Sequence, residues 1–192
     1  MEVERKVEIM QLEEKTISSK MIYRGKILNL RVDQVLLPNG KESGREVVEF
    51  SQAVAIVPVT SDNKVLLVCQ YRYPVAEILW EIPAGKMDKQ ENPEQCARRE
   101  LAEETGCTAG SLVKIAEFYT TPGFTTELMH VYLAQGLIHG DQNPDEDEFL
   151  TLEEVPFEKA IQMIFRGQIR DGKTIVGLLA AQSMLKGQGE TL

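Results

Sequence analysis

The stretch Gly85–Cys107, GKMDKQENPEQCARRELAEETGC, decides how this chain is read. Its 23 positions hold a glycine-containing loop, a proline-started helix and, among its acidic residues, the spaced set Glu91, Glu100, Glu103 and Glu104. Asn92 is placed to cap the helix, Pro93 suits its first position, and Gln95 completes a capping box. Gly106 fits the left-handed residue that ends it. At 100° per residue, Glu100, Glu103 and Glu104 fall within an arc of roughly 100° on one face. Like charges so close repel unless something neutralises them. Arg99 lies beside that face, able to orient one of the glutamates or to pair with Glu91 ahead of the helix. Composition alone would also allow a solvated acidic surface. The chemistry the pattern suits is a carboxylate cage for a hard divalent cation, since Mg²⁺ takes oxygen ligands in octahedral geometry.

Working outward, residues 53–74, AVAIVPVTSDNKVLLVCQYRYP, read as a hairpin turning at Ser61-Asp62-Asn63. Its strands are almost wholly apolar, as in a sheet covered on both faces. Residues 21–50 read as three short strands, with Pro38-Asn39-Gly40 as a turn. Residues 1–20, rich in charge, read as a loose arm or a short helix. Downstream, residues 111–123, 128–137 and 149–156 supply further strands. Residues 158–168 and 173–187 carry apolar positions at helical spacing. The expectation is an α/β chain with a mixed sheet and two parts. Residues 1–50 form an N-terminal arm and β-element, and residues 51–192 form the catalytic domain.

The 192-residue chain is long enough to bury a proper core. A content of 43% hydrophobic and 27% charged residues is that of a soluble globular protein. No apolar run approaches the roughly 20 residues of a membrane-spanning helix, and the N-terminus has no apolar signal core. With 21 basic against 30 acidic residues the net charge is −9, and no basic stripe for nucleic acid is visible. Bound cations would reverse the local sign of this field, so acidity does not exclude an anionic substrate. Cys69, Cys96 and Cys107 lack metal-ligand spacing and read as reduced thiols in a cytoplasmic protein. His130 and His139 read as structural.

The full spacing is Gly85, five residues, Glu91, seven residues, Arg99-Glu100-Leu101, one residue, Glu103-Glu104, one residue, Gly106-Cys107. It resembles the Nudix box of the Nudix hydrolases. Cys107 stands where a larger aliphatic residue is usual. The resemblance implies an α/β/α Nudix sandwich and hydrolysis of a nucleoside diphosphate linked to another group, with Mg²⁺ or Mn²⁺ as cofactor. It implies that Glu100, Glu103, Glu104 and the backbone carbonyl of Ala84 are metal ligands, with Glu91 and Arg99 holding loop and helix together.

Outside the box, Pro122 in TTPGFTTE, the upstream GKILNL with LPNG, and QYR before EIPAG are similar to the ADP-ribose pyrophosphatase branch. That branch implies a homodimer and ADP-ribose as the small-molecule substrate, split to AMP and ribose 5-phosphate. By position, Arg45, Glu46, Arg72 and Glu81 are the candidates for holding it, and Glu127 is a weaker one. The branch further implies that an acidic residue of the segment 145–148, Glu146 first and then Glu148, serves as catalytic base or completes a metal site. The box residue Glu103 belongs to the catalytic set as well. The alternatives are a Nudix hydrolase of another diphosphate, such as a nucleotide sugar or an oxidised nucleotide, or a non-catalytic ADP-ribose sensor. Gly167–Thr174 satisfies the bare pattern of a phosphate-binding loop, but it joins two predicted helices where a strand should lead in.

Overall fold

Strands Lys15–Arg24 (β1), Asn29–Leu36 (β2) and Glu42–Glu49 (β3) form an antiparallel sheet in the order β1-β2-β3. They come from a computed structural model that describes residues 12–88, 90–143 and 149–189. This sheet belongs to the first of two units, which holds the described residues up to Ser51 together with Thr121–Glu127. The turn at Pro38-Asn39-Gly40 is present, with Gly40 at φ 80° and its amide donating 2.9 Å to the Leu37 carbonyl. Residues 15–20 are strand, which corrects the reading of a loose arm or helix there. β-prone residues such as Thr16 and Tyr23 pair with β2, in a ladder with register shifts between Thr16 and Ser18 and between Met21 and Tyr23, and that pairing outweighs the local charge. The segment 121–127 joins this unit through β3: the Val48 amide donates 2.7 Å to the Phe124 carbonyl, and the Thr126 amide 3.0 Å to the Val48 carbonyl.

The second unit holds the rest of the described chain from Gln52. Its elements are Ala53–Pro58 (β4), Lys64–Arg72 (β5), Glu77–Glu81 (β6), Ala84–Lys86 (β7), Pro93–Thr105 (α1), Cys107–Tyr119 (β8), Leu128–His139 (β9), Leu150–Pro156 (β10), Phe157–Phe165 (α2) and Gly172–Gly189 (α3). One sheet has the order β7-β4-β9-β8 and is mixed, β4 running parallel to β9 and antiparallel to β7. The other is antiparallel, in the order β10-β5-β6.

The hairpin expected over residues 53–74 is therefore not formed. Beyond the turn, β4 and β5 share one bridge, Val59 to Val65, and then enter different sheets. β4 is buried at every position, so it needs a neighbour on each edge and cover on each face. β7 and β9 supply the edges, which leaves β5 free to pair with β6 and β10.

Alternation supplies the two faces. Ala55, Val57, Val131 and Leu133 point into one core with Ala160 and Ile161 of α2 and Leu178 and Ala181 of α3. Val54, Ile56, Tyr132 and Ala134 point into a second core with Cys96, Ala97 and Leu101 of α1. The unit is thus an α/β/α sandwich with α1 on one side and α2 and α3 on the other, the fold class the sequence indicates. α2 ends at Phe165, and Gly167 follows two residues later at φ 70°, its amide donating 3.0 Å to the Ile164 carbonyl. The pattern Gly167–Thr174 joins α2 to α3, as expected of a chance match to a phosphate loop.

The capping signals of α1 are all used. The Asn92 side chain accepts 2.9 Å from the Gln95 amide, and the Gln95 side chain accepts 3.1 Å from the Asn92 amide. At the other end Gly106 sits at φ 70°, with its amide donating 2.9 Å to the Ala102 carbonyl. A Cβ at Gly106 would fall 2.7 Å from the Gly140 carbonyl oxygen. Gly106→Ala therefore combines a left-handed backbone with a collision. It is expected to destabilise the chain by about 1–3 kcal/mol in urea unfolding; an unchanged midpoint would contradict this account.

Candidate active site

Arg99 is the organising side chain. Its Nε and Nη2 each donate 3.0 Å to one oxygen of Glu91, a bidentate pair that ties the helix to the loop before it. Nη2 also reaches the Lys86 carbonyl at 3.2 Å, on the strand carrying Gly85. Nη1 donates 2.8 Å to Glu100 Oε1 and 2.8 Å to Glu103 Oε2. Sequence suggested that Arg99 orients one helix carboxylate or pairs with Glu91; it does both, for two carboxylates. The guanidinium holds the Glu91 carboxyl below its usual range. Burial, reinforced by Glu91, pushes the neighbouring Cys96 thiol up, so Cys96 is an inert thiol packed beneath the loop.

Projected down the axis, Glu100 and Glu104 fall between Cys96, Ala97 and Leu101, within an arc of about 140°. The acidic ridge is therefore part of the buried face. Glu104 is 2% exposed, and Glu100 is buried as well. The Glu100 carboxylate lies directly on Gly85: a Cβ there would fall 1.8 Å from its Oε1. This is why the loop must have glycine at that position. Ala84, one residue earlier in β7, stands opposite Ala55 of β4. Gly85 thus lies on a strand anchored in the sandwich centre, with Glu100 above it.

The far end of α1 carries a second loop. The Gly140 amide donates 2.7 Å to the Gly106 carbonyl, and the Asn143 amide 3.1 Å to the Glu103 carbonyl. Gln142 donates 2.5 Å through Nε2 to the Glu104 carbonyl. Residues 141–143 therefore run back along the helix beside the acidic ridge. Glu146 and Glu148, expected as base, lie outside the described residues.

A second polar centre in the same unit joins Arg72 and Glu81. Arg72 Nε and Nη2 each donate 2.7 Å to one oxygen of Glu81, which is 1% exposed. Lys173, at the start of α3, donates to Glu81 as well and lies 3.1 Å from Asp171. Burial alone would push the Glu81 carboxyl up, but Arg72 and Lys173 together outweigh it and hold the group below its ordinary value. Sequence reasoning named Arg72 and Glu81 but missed Lys173, which is 92 residues from Glu81 and sits inside a motif with a misleading look.

Arg45, Glu46 and Glu127 lie in the first unit. Arg45 is occupied by a bidentate pair with Glu14, at 2.9 and 2.5 Å. Glu46 stands opposite Val32 in the sheet, and the Glu127 amide donates 3.3 Å to the Thr125 hydroxyl. Of the two histidines, His130 is buried, with its Nε2 2.9 Å from Gln52 Oε1, and His139 Nδ1 lies 3.4 Å from Cys107 Sγ. Among the described residues no three acidic, histidine or cysteine side chains close to metal-holding distance. Arg99 occupies the space between Glu100 and Glu103.

Comparison with known proteins identifies the family of this fold. The NUDIX domain matches residues 49–176, and the nucleoside diphosphate sugar hydrolase N-terminal domain matches residues 14–48. A protein of Bacillus subtilis (strain 168) called ADP-ribose pyrophosphatase is 47% identical over 165 residues, 85% of this chain and 89% of that one. A methanol dehydrogenase activator of Bacillus methanolicus is 43% identical, covering 91% of this chain and 96% of its own. The crystal structure of an ADP compounds hydrolase superposes with a TM-score of 0.84 at 22% identity, covering 93% of this chain and 97% of that one. A sandwich with a glycine-cradled, arginine-braced acidic helix defines the Nudix class, and this chain belongs to the Nudix family.

Gly85→Ala must push the Glu100 carboxylate off the strand. Displacement of a site group by about 1 Å can cost about 10²-fold in rate, so a loss of that order in kcat is expected with the far-UV spectrum unchanged. Full activity in this variant would show that Glu100 need not sit where it does.

Proposed function

We propose that this protein hydrolyses the diphosphate of ADP-ribose, taking up water and releasing AMP and ribose 5-phosphate. The observation that carries the reading is the Glu100 carboxylate seated on Gly85 with Arg99 bracing Glu100 and Glu103. The names of the similar Bacillus subtilis and Mycobacterium tuberculosis proteins, both ADP-ribose pyrophosphatases, support the substrate.

The donor set suits a hard divalent cation: carboxylates of Glu100, Glu103 and Glu104 on one helix face, with the Ala84 carbonyl beside the glycine cradle. Mg²⁺, or Mn²⁺ in its place, would neutralise the diphosphate and make water more acidic when bound. The chain's own part is to hold those oxygens in place through Arg99 and to bind the substrate through Arg72 and Glu81. Arg45, Glu46 and Glu127 are the further candidates for substrate contact. Glu146, with Glu148 as the alternative, takes or directs the proton of the attacking water. Its segment follows Asn143, whose amide is bonded to the Glu103 carbonyl.

We read residues 1–50 as a β-element that pairs two copies into a homodimer, supported by its exposed Ile17, Ile22, Tyr23 and Ile27. Residues 51–192 are the catalytic part. Three free cysteines are in keeping with a cytoplasmic enzyme that needs neither nucleic acid nor membrane. The match of residues 14–48 to a nucleoside diphosphate sugar hydrolase segment favours one second reading, a nucleotide sugar as substrate.

Product analysis with a substrate panel separates the two. With Mg²⁺, ADP-ribose is expected to give AMP at a kcat/KM above about 10⁴ M⁻¹s⁻¹, lost on adding EDTA; a nucleotide sugar turned over faster would replace this substrate. Glu103→Gln and Glu104→Gln are each expected to lower kcat by about 10²–10³-fold at an unchanged unfolding midpoint. Near-full activity in both would remove the helix carboxylates from the mechanism.

A further inference from the structure

The Glu81 carboxylate is almost fully buried yet has two cations on it. Arg72 takes both oxygens through Nε and Nη2, at 2.7 Å each, and Lys173 donates to Oε2. This fixes the plane of the Arg72 guanidinium and leaves its Nη1 without a partner among the described residues. The Arg72 side chain is 41% exposed, so its pairing with Glu81 does not bury it. A guanidinium held on one edge and open on the other is suited to a phosphate oxygen.

Lys173 is itself held. It lies 3.1 Å from Asp171, its side chain only 12% exposed. Asp171 Oδ2 accepts from the Thr174 hydroxyl at 2.5 Å and from the Thr174 amide at 2.9 Å. The Thr174 hydroxyl accepts in turn from the Ile82 amide at 2.9 Å. One turn of α3 thus grips two successive residues, the side chain of Glu81 and the backbone of Ile82. Pro83, Ala84 and the Gly85 cradle follow directly. The Asp-Gly-Lys-Thr sequence at 171–174 is in this view a brace, and no phosphate loop.

We propose that Lys173 is a positioning residue for substrate binding: by sharing the buried Glu81 carboxylate with Arg72, it directs the free edge of the Arg72 guanidinium at the substrate diphosphate. It rests on the diphosphate-hydrolase reading of the site. Without Lys173, Arg72 is left as the only direct cationic partner of the buried Glu81 and is drawn away from the substrate. The loss then falls on binding more than on the chemical step.

The test is calorimetric binding of ADP to the full chain with Mg²⁺, for wild type, Lys173→Met, Glu81→Gln and the double variant, with steady-state ADP-ribose kinetics alongside. Lys173→Met is expected to bind ADP about tenfold more weakly. Its KM should rise by a similar factor while kcat falls less than about threefold. The double variant should be no weaker than Glu81→Gln alone, within about twofold, because Lys173 acts through Glu81. Lys173→Arg keeps the charge and should stay within about threefold of wild type; it carries the test if Lys173→Met fails to fold. Unchanged ADP affinity in Lys173→Met, a loss confined to kcat, or losses that add in the double variant would overturn the proposal alone. Wild type that binds no ADP would overturn the hydrolase reading and this one together.

Discussion

Six contacts from one guanidinium hold the site together. Arg99 reaches the loop acid Glu91, the Lys86 carbonyl, the Cys96 thiol and the carboxylates of Glu100 and Glu103. Each partner belongs to a piece of chain that would otherwise move on its own: the β7 strand, the loop after it and the helix. A lysine could neutralise the same charge, but it lacks a planar fork able to serve three carboxylates at fixed angles. The helix needs such a partner because its acids lie on the buried face, where burial penalises charge and like charges repel.

A similar solution recurs at the other polar centre. Burial alone would push the Glu81 carboxyl up, and two cations from distant parts of the chain outweigh it and hold the group below its ordinary value. Both centres therefore use bidentate arginine to hold a carboxylate, Glu91 half-buried in one and Glu81 buried in the other. They differ in what the arginine does next. Arg99 uses all three of its nitrogens on protein groups, while Nη1 of Arg72 has no partner among the described residues.

Local chemistry was legible in the sequence and long-range partnership was not. Asn92, Pro93, Gln95 and Gly106 act within a few residues of themselves, so their roles follow from spacing. The acidic ridge followed from helical periodicity alone. The supposed hairpin at 53–74 failed because two wholly apolar strands look alike whichever neighbours they take, and β4 found its neighbours at β7 and β9. The strand at 15–20 was hidden by charges that cost little on an exposed sheet. Lys173 was out of reach for a different reason: nothing within its own segment indicates that a carboxylate 92 residues away will lie beside it.

The placement of Glu100, Glu103 and Glu104 in the last two turns of α1 has a cost that their spacing alone does not reveal. Peptide dipoles make that end of a helix negative, and no basic residue stands in the final turn. Three acids there oppose the field of the helix that carries them. The segment is thus a poorer helix than folding by itself would select, and its length and caps hold in place an arrangement that favours the arrival of positive charge. Neutralising these acids would favour the helix by itself and would remove the charge pattern the site is built on.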